Sequence, residues 1–506
     1  MHDGFDADLR SIQEARRLAV ACREAQRSFA FASQAEVDRV CQAMADAAFA
    51  AAERLGSMAH EETGYGVAAH KRLKDEFASR DVWASIRDVP TVGVIRRDEV
   101  RGVEEIAWPV GVIAALTPST NPVSTAIFKI LIAVKARNGI VIAPHPAARG
   151  VSVEVCRIMA EAGEAAGMPP GLVSCMEAVS LPGSQELMRH WATSLILATG
   201  GPGMVKAAHS VGKPAIGVGP GNVPAYVDRS ADVPKAASDI VNSKAFDCSV
   251  ICATEQTVVA DRPIAAELRA EMERHGAVWL QDTDRVAIER VLFSPDGAIN
   301  PRAVGKTPQA LAALAGVSVP PWARVLVADL GGVGPGHPLS REKLTTVLGF
   351  VVEDGWRAGC ERSIELLKFG GDGHSLVIHA HDPVVITAFG IEKPAFRIVV
   401  NTWGTLGAIG ATTGVMPSMT LAPGGLGGAV VGDNITVHHV LNIKRLAREI
   451  RKPPASAYSL APGTAVAPGR TVAAVSTAGS AAAPGDGLDR EVIAGIVRRV
   501  MAELGR

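Results

Sequence analysis

Apolar residues three and four positions apart (Leu9, Ile12, Ala15, Leu18, Ala19, Cys22) open the chain, and an Ala-, Glu- and Arg-rich texture continues to Phe77. That period belongs to helices with one buried face, so the first part of the chain predicts a helical layer. From Trp108 the pattern changes. Short all-apolar runs, GVIAAL, GIVIAP, LILATG and PAYVD, alternate with helical stretches such as AIFKILIAVKARN and VEVCRIMAEAGEAAG. Runs apolar on both sides, separated by helices, predict a parallel sheet with crossover connections. A second alternating region spans about Val233 to Phe396, with VICATEQTVVA and HSLVIHA as its strands. The expectation is two α/β domains in series.

The end of the chain breaks the pattern. Pro453 to Gly487 is built of Ala, Pro, Gly, Ser and Thr, with Arg470 and Asp486 its only charges, and too little apolar surface to order itself. It predicts a linker. Helical order returns with Leu488, Val492, Ile493, Ile496, Val497, Val500, Met501 and Leu504 on one face and Arg490, Glu491, Arg498, Arg499 and Glu503 on the other. Asp486 or Asp489 is placed to cap this short amphipathic helix.

Composition narrows the function. With 506 residues, 48% of them hydrophobic and 20% charged, the chain is long enough for two or three domains with a sizeable core. Its 51 Lys and Arg against 52 Asp and Glu leave a net charge of −1, which gives no general field for nucleic acid or anionic membrane. A small molecule is the expected partner. The seven cysteines, Cys22, Cys41, Cys156, Cys175, Cys248, Cys252 and Cys360, are odd in number and mostly isolated, which argues against a disulfide framework. The acidic start MHDGFDADLRS does not have the order of a signal peptide, and no apolar run reaches the roughly 18 residues of a membrane span. The chain reads as cytoplasmic.

Candidate chemistry centres on FDCSVICATEQ, where Cys252 stands between apolar neighbours and a polar exit. Alone, such a Cys is more often a small core residue than a nucleophile. Three turns follow predicted strands: LTPSTNP, ATGGPGM and GVGPGN. Glycines there let backbone approach a nucleotide, yet tight structural turns look the same, and neither Gly turn carries the full Gly-x-Gly-x-x-Gly fingerprint. Cys248 and Cys252 are four apart, but no second pair or His cluster completes a metal site, and Cys248 reads as packing.

Taken together and in order, TPSTNPVSTAIFK, IAPHP, LILATGGPGMVKAAHSVGKPAIGVGPGN, FDCSVICATEQ, REKL and GGDGHS resemble the aldehyde dehydrogenase superfamily over about Trp108 to Arg445. The likeness is greater to its coenzyme A-acylating branch, which includes the aldehyde half of bifunctional aldehyde-alcohol dehydrogenases. The resemblance implies two Rossmann-like α/β domains with a β oligomerisation arm. The domains expected are 1–228 (N-terminal helices and nucleotide-binding domain, arm strand near 92–107), 229–396 (catalytic domain) and 397–452 (return to the arm). The linker 453–487 and the helix 488–506 follow. Strands near Val94 and Ile398 are expected to form the arm that pairs subunits into a homodimer or tetramer.

The resemblance also assigns roles. Cys252 would attack the aldehyde carbon, and Asn121 and the Cys252 N–H would stabilise the oxyanion, where losing one donor typically costs about a hundred- to a thousandfold in rate. A hydride would leave for the nicotinamide, leaving a thioester on Cys252. Hydrolytic members carry a Glu at the position of Gly217; with no carboxylate there, the thiol of coenzyme A is the expected acceptor. Thr117, Pro144, His145, Gly200, Gly201, Gly203 and Gly219 would surround the dinucleotide and Glu342 would hold the nicotinamide ribose. The expected cofactor is NAD; nothing near Arg149 selects against the 2′-phosphate of NADP, so both stay open. His374 would handle the coenzyme A thiol proton, against an alternative as a turn cap. The terminal helix resembles the encapsulation peptides of bacterial microcompartment enzymes. It implies shell or cargo as partner and the compartment lumen as location, rather than a membrane, since its charges balance and it has no aromatic anchor. The products of the overall reading are acyl-CoA and NAD(P)H from a short-chain aldehyde. A non-acylating enzyme giving free acid, and a catalytically silent shell scaffold, are the alternatives.

Overall fold

The computed structural model describes residues 6–295 and 297–454. The expected linker beyond 454 and the terminal helix 488–506 lie outside the described residues. One compact unit runs to Arg448 and a second begins at Glu449; the first holds all that follows.

The chain opens with α1 (Ala7–Phe29), α2 (Gln34–Thr63) and α3 (Ala68–Glu76). Local chemistry sets their ends. The Ser33 hydroxyl accepts from Glu36 N–H while the Glu36 carboxylate takes the Ser33 N–H at 2.7 Å, a reciprocal cap for α2. Gly64, at φ 67°, stops the same helix in the left-handed region. Ala15, Leu18, Ala19 and Cys22 form the buried stripe of α1, while Leu9 from the same period is 58% exposed.

Two parallel sheets form the body. The first has five strands in the order Val173–Cys175, Gly139–Pro144, Val112–Thr117, Thr193–Thr199 and Ala215–Val218. Its central strands are buried along their full length, which is why they read as unbroken apolar runs. The second has seven strands in the order Ala277–Trp279, Val325–Asp329, Val347–Glu353, Glu255–Asp261, Val223–Val227, Leu376–His379 and Ile398–Val400. A third, antiparallel sheet joins Gly93–Asp98, Val103–Pro109 and Leu441–Ala447. The α/β fold with two parallel sheets and an antiparallel arm is the one the resemblance implies.

Three expectations need correction. The PAYVD strand belongs to the second sheet, between Glu255–Asp261 and Leu376–His379, so that sheet starts before residue 229. Apolar composition marks a buried parallel strand but carries no information about which distant strand it pairs with. Ile398 lies in the edge strand of the same sheet, paired with Leu376; the third arm strand is Leu441–Ala447, seven residues with an exposed polar face. VICATEQTVVA is a strand only from Glu255, and Val250–Thr254 is a turn.

Between the first sheet and the helical layer lies Pro122–Lys135, every residue of which is buried. Within it the Lys129 ammonium donates to the carbonyls of Leu116 at 2.7 Å and Leu197 at 2.9 Å. Burial pushes this ammonium down to about 7. A buried cation without hydrogen bonds would be prohibitive, and here it fastens the ends of two central strands from which candidate site turns depart.

Candidate active site

Cys252 reaches the site through an unusual turn. Asp247, Cys248 and Ser249 take φ of 45°, 49° and 66°, three consecutive side-chain-bearing residues in the left-handed region. Such residues persist only where their surroundings over-determine them. The Asp247 N–H donates to His70 Nδ1 at 2.9 Å, and its Oδ1 accepts from Val67 N–H at 2.7 Å. The turn then carries Cys252 to the wall of a cleft of about 680 Å³.

His374 stands behind the thiol, its Nε2 3.2 Å from Cys252 Sγ and its Nδ1 3.0 Å from Ser375 Oγ. Arg397 Nε donates to that same Ser375 Oγ at 3.3 Å, and its other nitrogens donate to the carbonyls of Ala422 and Gly432. Burial, and then the Glu342 carboxylate, push the Cys252 thiol up to about 12, against Arg397 and the N–H groups of Cys252 and Ala253. Burial, with Arg397 adding to it, holds the His374 imidazole well below its usual range, so it is neutral. The backbone at Gly221 is pressed against both groups: a Cβ there would lie 2.2 Å from the Cys252 carbonyl oxygen and 3.0 Å from the His374 ring.

Asn121 also lines the cleft, at the start of Pro122–Lys135. Its Nδ2 donates to the Val250 carbonyl at 3.0 Å and approaches Thr120 Oγ1 at 3.3 Å, while its Oδ1 takes a hydrogen bond from Lys74. Asn121 and Cys252 are thus 131 positions apart in the chain and share one cleft.

Of the remaining predicted residues, His145, Gly200, Gly201, Gly219 and Glu342 also line the cleft, whereas Thr117, Pro144 and Gly203 do not. The Glu342 carboxylate accepts from Gly221 N–H at 3.0 Å, and burial raises it to about 7. His145 spends Nδ1 on Ala147 N–H. The arrangement fits a dinucleotide. Nothing stands within 4 Å of where a Cβ would be at Gly201, Gly203 and Gly219, and Gly201 immediately precedes the helix Pro202–His209, whose N-terminal N–H groups suit a pyrophosphate. Thr199 Oγ1, on the same cleft, is buried without a partner among the described residues, as is Thr117 Oγ1.

A family model described as the aldehyde dehydrogenase family matches residues 7–281. The chain belongs to that family. It is 39% identical over 424 residues to aldehyde-alcohol dehydrogenase 2 of Entamoeba histolytica, covering 82% of this chain and 49% of that one. The chain therefore spans about half the length of that relative. An acetylating aldehyde dehydrogenase from Geobacillus thermoglucosidasius is 48% identical with a TM-score of 0.88, covering 89% of this chain and 99% of its own. A propionaldehyde dehydrogenase from a fucose utilisation microcompartment of Clostridium phytofermentans is 29% identical, with a TM-score of 0.79 and coverage of 86% and 97%. A Rhodopseudomonas palustris propionaldehyde dehydrogenase, seen with coenzyme A and an acylated cysteine, is 27% identical with a TM-score of 0.78 and coverage of 86% and 97%.

Gly217 packs against the helix that follows the ATGGPGM turn. A Cβ at 217 would meet His209 Nε2 at 2.5 Å and Val205 Cγ1 at 2.6 Å, on the inner side of Pro202–His209. A side chain at 217 requires the His209 and Val205 side chains to shift. Gly217→Glu is expected to lower stability by about 1–3 kcal/mol through overpacking, without conferring coenzyme A-independent turnover. Thermal unfolding and NADH release without coenzyme A check both halves.

The residues that sequence reasoning missed are Lys71, Lys74, Asp247, Ser375 and Arg397. All five are buried. The lysines of HKRLKDE lie three apart in a charged stretch, and no local signal marks them as buried.

Proposed function

We propose that the protein oxidises a short-chain aldehyde with NAD(P)+ and passes the acyl group to coenzyme A through a thioester on Cys252. The observation that carries this is the pairing of Cys252 Sγ with His374 Nε2 at 3.2 Å in a cleft that Asn121 shares. The acylated cysteine and bound coenzyme A of the Rhodopseudomonas relative support it. The apolar walls Ile251, Ile409, Met419 and Leu421 favour an uncharged acyl chain.

The Cys252 thiol passes its proton to His374 Nε2 as sulfur adds to the aldehyde carbon, and the oxygen that gains charge is met by the Asn121 amide and the Cys252 N–H. The nicotinamide, when bound, supplies the acceptor for the hydride that leaves that carbon. Coenzyme A thiolate then attacks the thioester and Cys252 departs as an anion. Ser375 Oγ accepts from Arg397 Nε, and with one proton and a second lone pair it either donates to His374 Nδ1 or accepts from it. With the hydrogen on Nδ1, His374 Nε2 faces Cys252 Sγ as the group placed to take the thiol proton, and it returns that proton to Cys252 when sulfur leaves.

NADH formation from a series of short aldehydes, with and without coenzyme A, tests the reading. Acyl-CoA appearing one for one with NADH supports it; no NADH from any aldehyde overturns it.

Outside the described residues, we read the helix 488–506 as an address for a microcompartment shell. Its apolar Val, Ile and Leu face and the tether before it support this, as does the microcompartment origin of the Clostridium relative. Truncation after Arg451 is expected to leave turnover and thermal stability unchanged. Ile496→Glu with Val500→Glu is expected to abolish co-sedimentation with shell proteins, since each buried Ile or Val contributes about 1.5–3 kcal/mol. Loss of activity on truncation would place the helix on its own enzyme. By the same family likeness, we read the antiparallel sheet as the surface that pairs subunits.

A further inference from the structure

Behind the cleft, α3 inserts two lysines into a place where no water reaches them. The side chains of Lys71, Lys74 and Asp247 are 3%, 2% and 0% exposed. Lys71 Nζ lies 3.3 Å from Asp247 Oδ2 and donates to the Thr120 carbonyl at 3.2 Å. Lys74 Nζ bonds both Asp247 Oδ2 and Asn121 Oδ1. Each lysine therefore joins the same two segments: the left-handed turn that leads to Cys252, and the Thr120–Asn121 turn. Asp75, buried beside them, has an oxygen without a partner among the described residues, and burial holds its carboxyl well above the usual range.

Stability alone gives little reason for such a cluster, since a buried ion pair replaced by apolar residues of similar volume is often neutral or stabilising. Its geometry gives a better one. An ammonium has donors only, so Lys74 donates to the oxygen end of the Asn121 amide and excludes the NH2 end. The flip that would turn Oδ1 toward the reacting oxygen places NH2 against a buried cation. Nδ2 is left pointing at the Val250 carbonyl, two residues before Cys252. At the other end, Asp247 is held by Val67, His70, Lys71 and Lys74 in a backbone conformation that its own side chain disfavours.

We propose that Lys74, assisted by Lys71, is a positioning residue that sets the direction of the Asn121 amide and ties it through Asp247 to the turn that presents Cys252. The proposal rests on the reading of Cys252 as nucleophile and Asn121 as oxyanion donor. It predicts coupling: Lys74 matters to the acylation step because of Asn121, so removing Asn121 removes its effect.

A double-mutant cycle tests this, read as the single-turnover rate of NADH formation from aldehyde and NAD+ before coenzyme A is added. Lys74→Met is expected to slow acylation about a hundredfold, similar to loss of an oxyanion donor, with the aldehyde KM within about threefold of wild type. In the Asn121→Ala background the same change is expected to add less than about threefold. NADH binding and the thermal midpoint certify the folded chain. Should Lys74→Met fail to fold, Asp247→Asn serves in its place. It keeps the acceptor for Val67 N–H and removes the charge that holds Lys74; about tenfold slowing is expected, again absent when Asn121 is Ala. Losses that multiply in the double variant, or a Lys74→Met enzyme with near-wild-type acylation, would overturn the clamp. A wild-type enzyme that forms no NADH would instead overturn the function on which it rests.

Discussion

Cys252→Ala should form no NADH from any aldehyde, a loss on the order of 10⁴-fold or more, because no other group in the cleft can carry the acyl chain. The variant should fold normally. It removes one sulfur at the cleft wall, and the backbone that approaches Gly221 is untouched. Cys248→Ala is the matched control. Cys248 is 2% exposed in the strained turn four residues earlier, and burial raises its thiol to about 12, so it is expected to keep most activity. Steady-state NADH formation and mass spectrometry of the aldehyde-treated protein check the pair. Acyl adducts on the Cys252→Ala chain would remove the nucleophile assignment.

The second large effect concerns coenzyme A. Omitting it should let each active site release at most about one NADH before the reaction stalls, because the Cys252 thioester then has no competent acceptor. The physical basis is what surrounds the thioester. Gly217 offers no carboxylate, and one oxygen of Glu342 is engaged by Gly221 N–H. Adding coenzyme A after the burst should restore turnover and release the acyl group as its thioester. Sustained free-acid production without coenzyme A would show that some other group activates water, and the non-acylating alternative would replace the present reading.

The two experiments separate the halves of the reaction. The first tests whether sulfur carries the acyl group, the second which nucleophile removes it. The Lys74 cycle then asks how the first half is held in geometry.

Much of this protein was legible before any coordinates. FDCSVICATEQ, TPSTNP, the ATGGPGM turn and GGDGHS are short contiguous strings, and the chemistry they carry depends on residues a few positions apart, so the sequence alone determined the family, the α/β fold with parallel sheets and the candidates Cys252, Asn121, His374 and Glu342. Periodicity likewise determined the buried stripe of α1 and the all-apolar strands, because burial on one face or two leaves a direct mark on composition. Only the tertiary structure decided what depends on long-range approach. Val223–Val227 joins the second sheet and Leu441–Ala447, not the strand at Ile398, closes the arm, since parallel apolar strands look alike and pairing is chosen by packing between distant segments. That a Cβ at Gly217 would press on His209 and Val205 was decided by the helix packed above it, because the direction of a Cβ depends on its neighbours in space. The burial of Lys71 and Lys74 was likewise decided by tertiary structure, because the charge they meet at Asp247 lies 176 and 173 residues away along the chain and only folding brings it within hydrogen-bond distance.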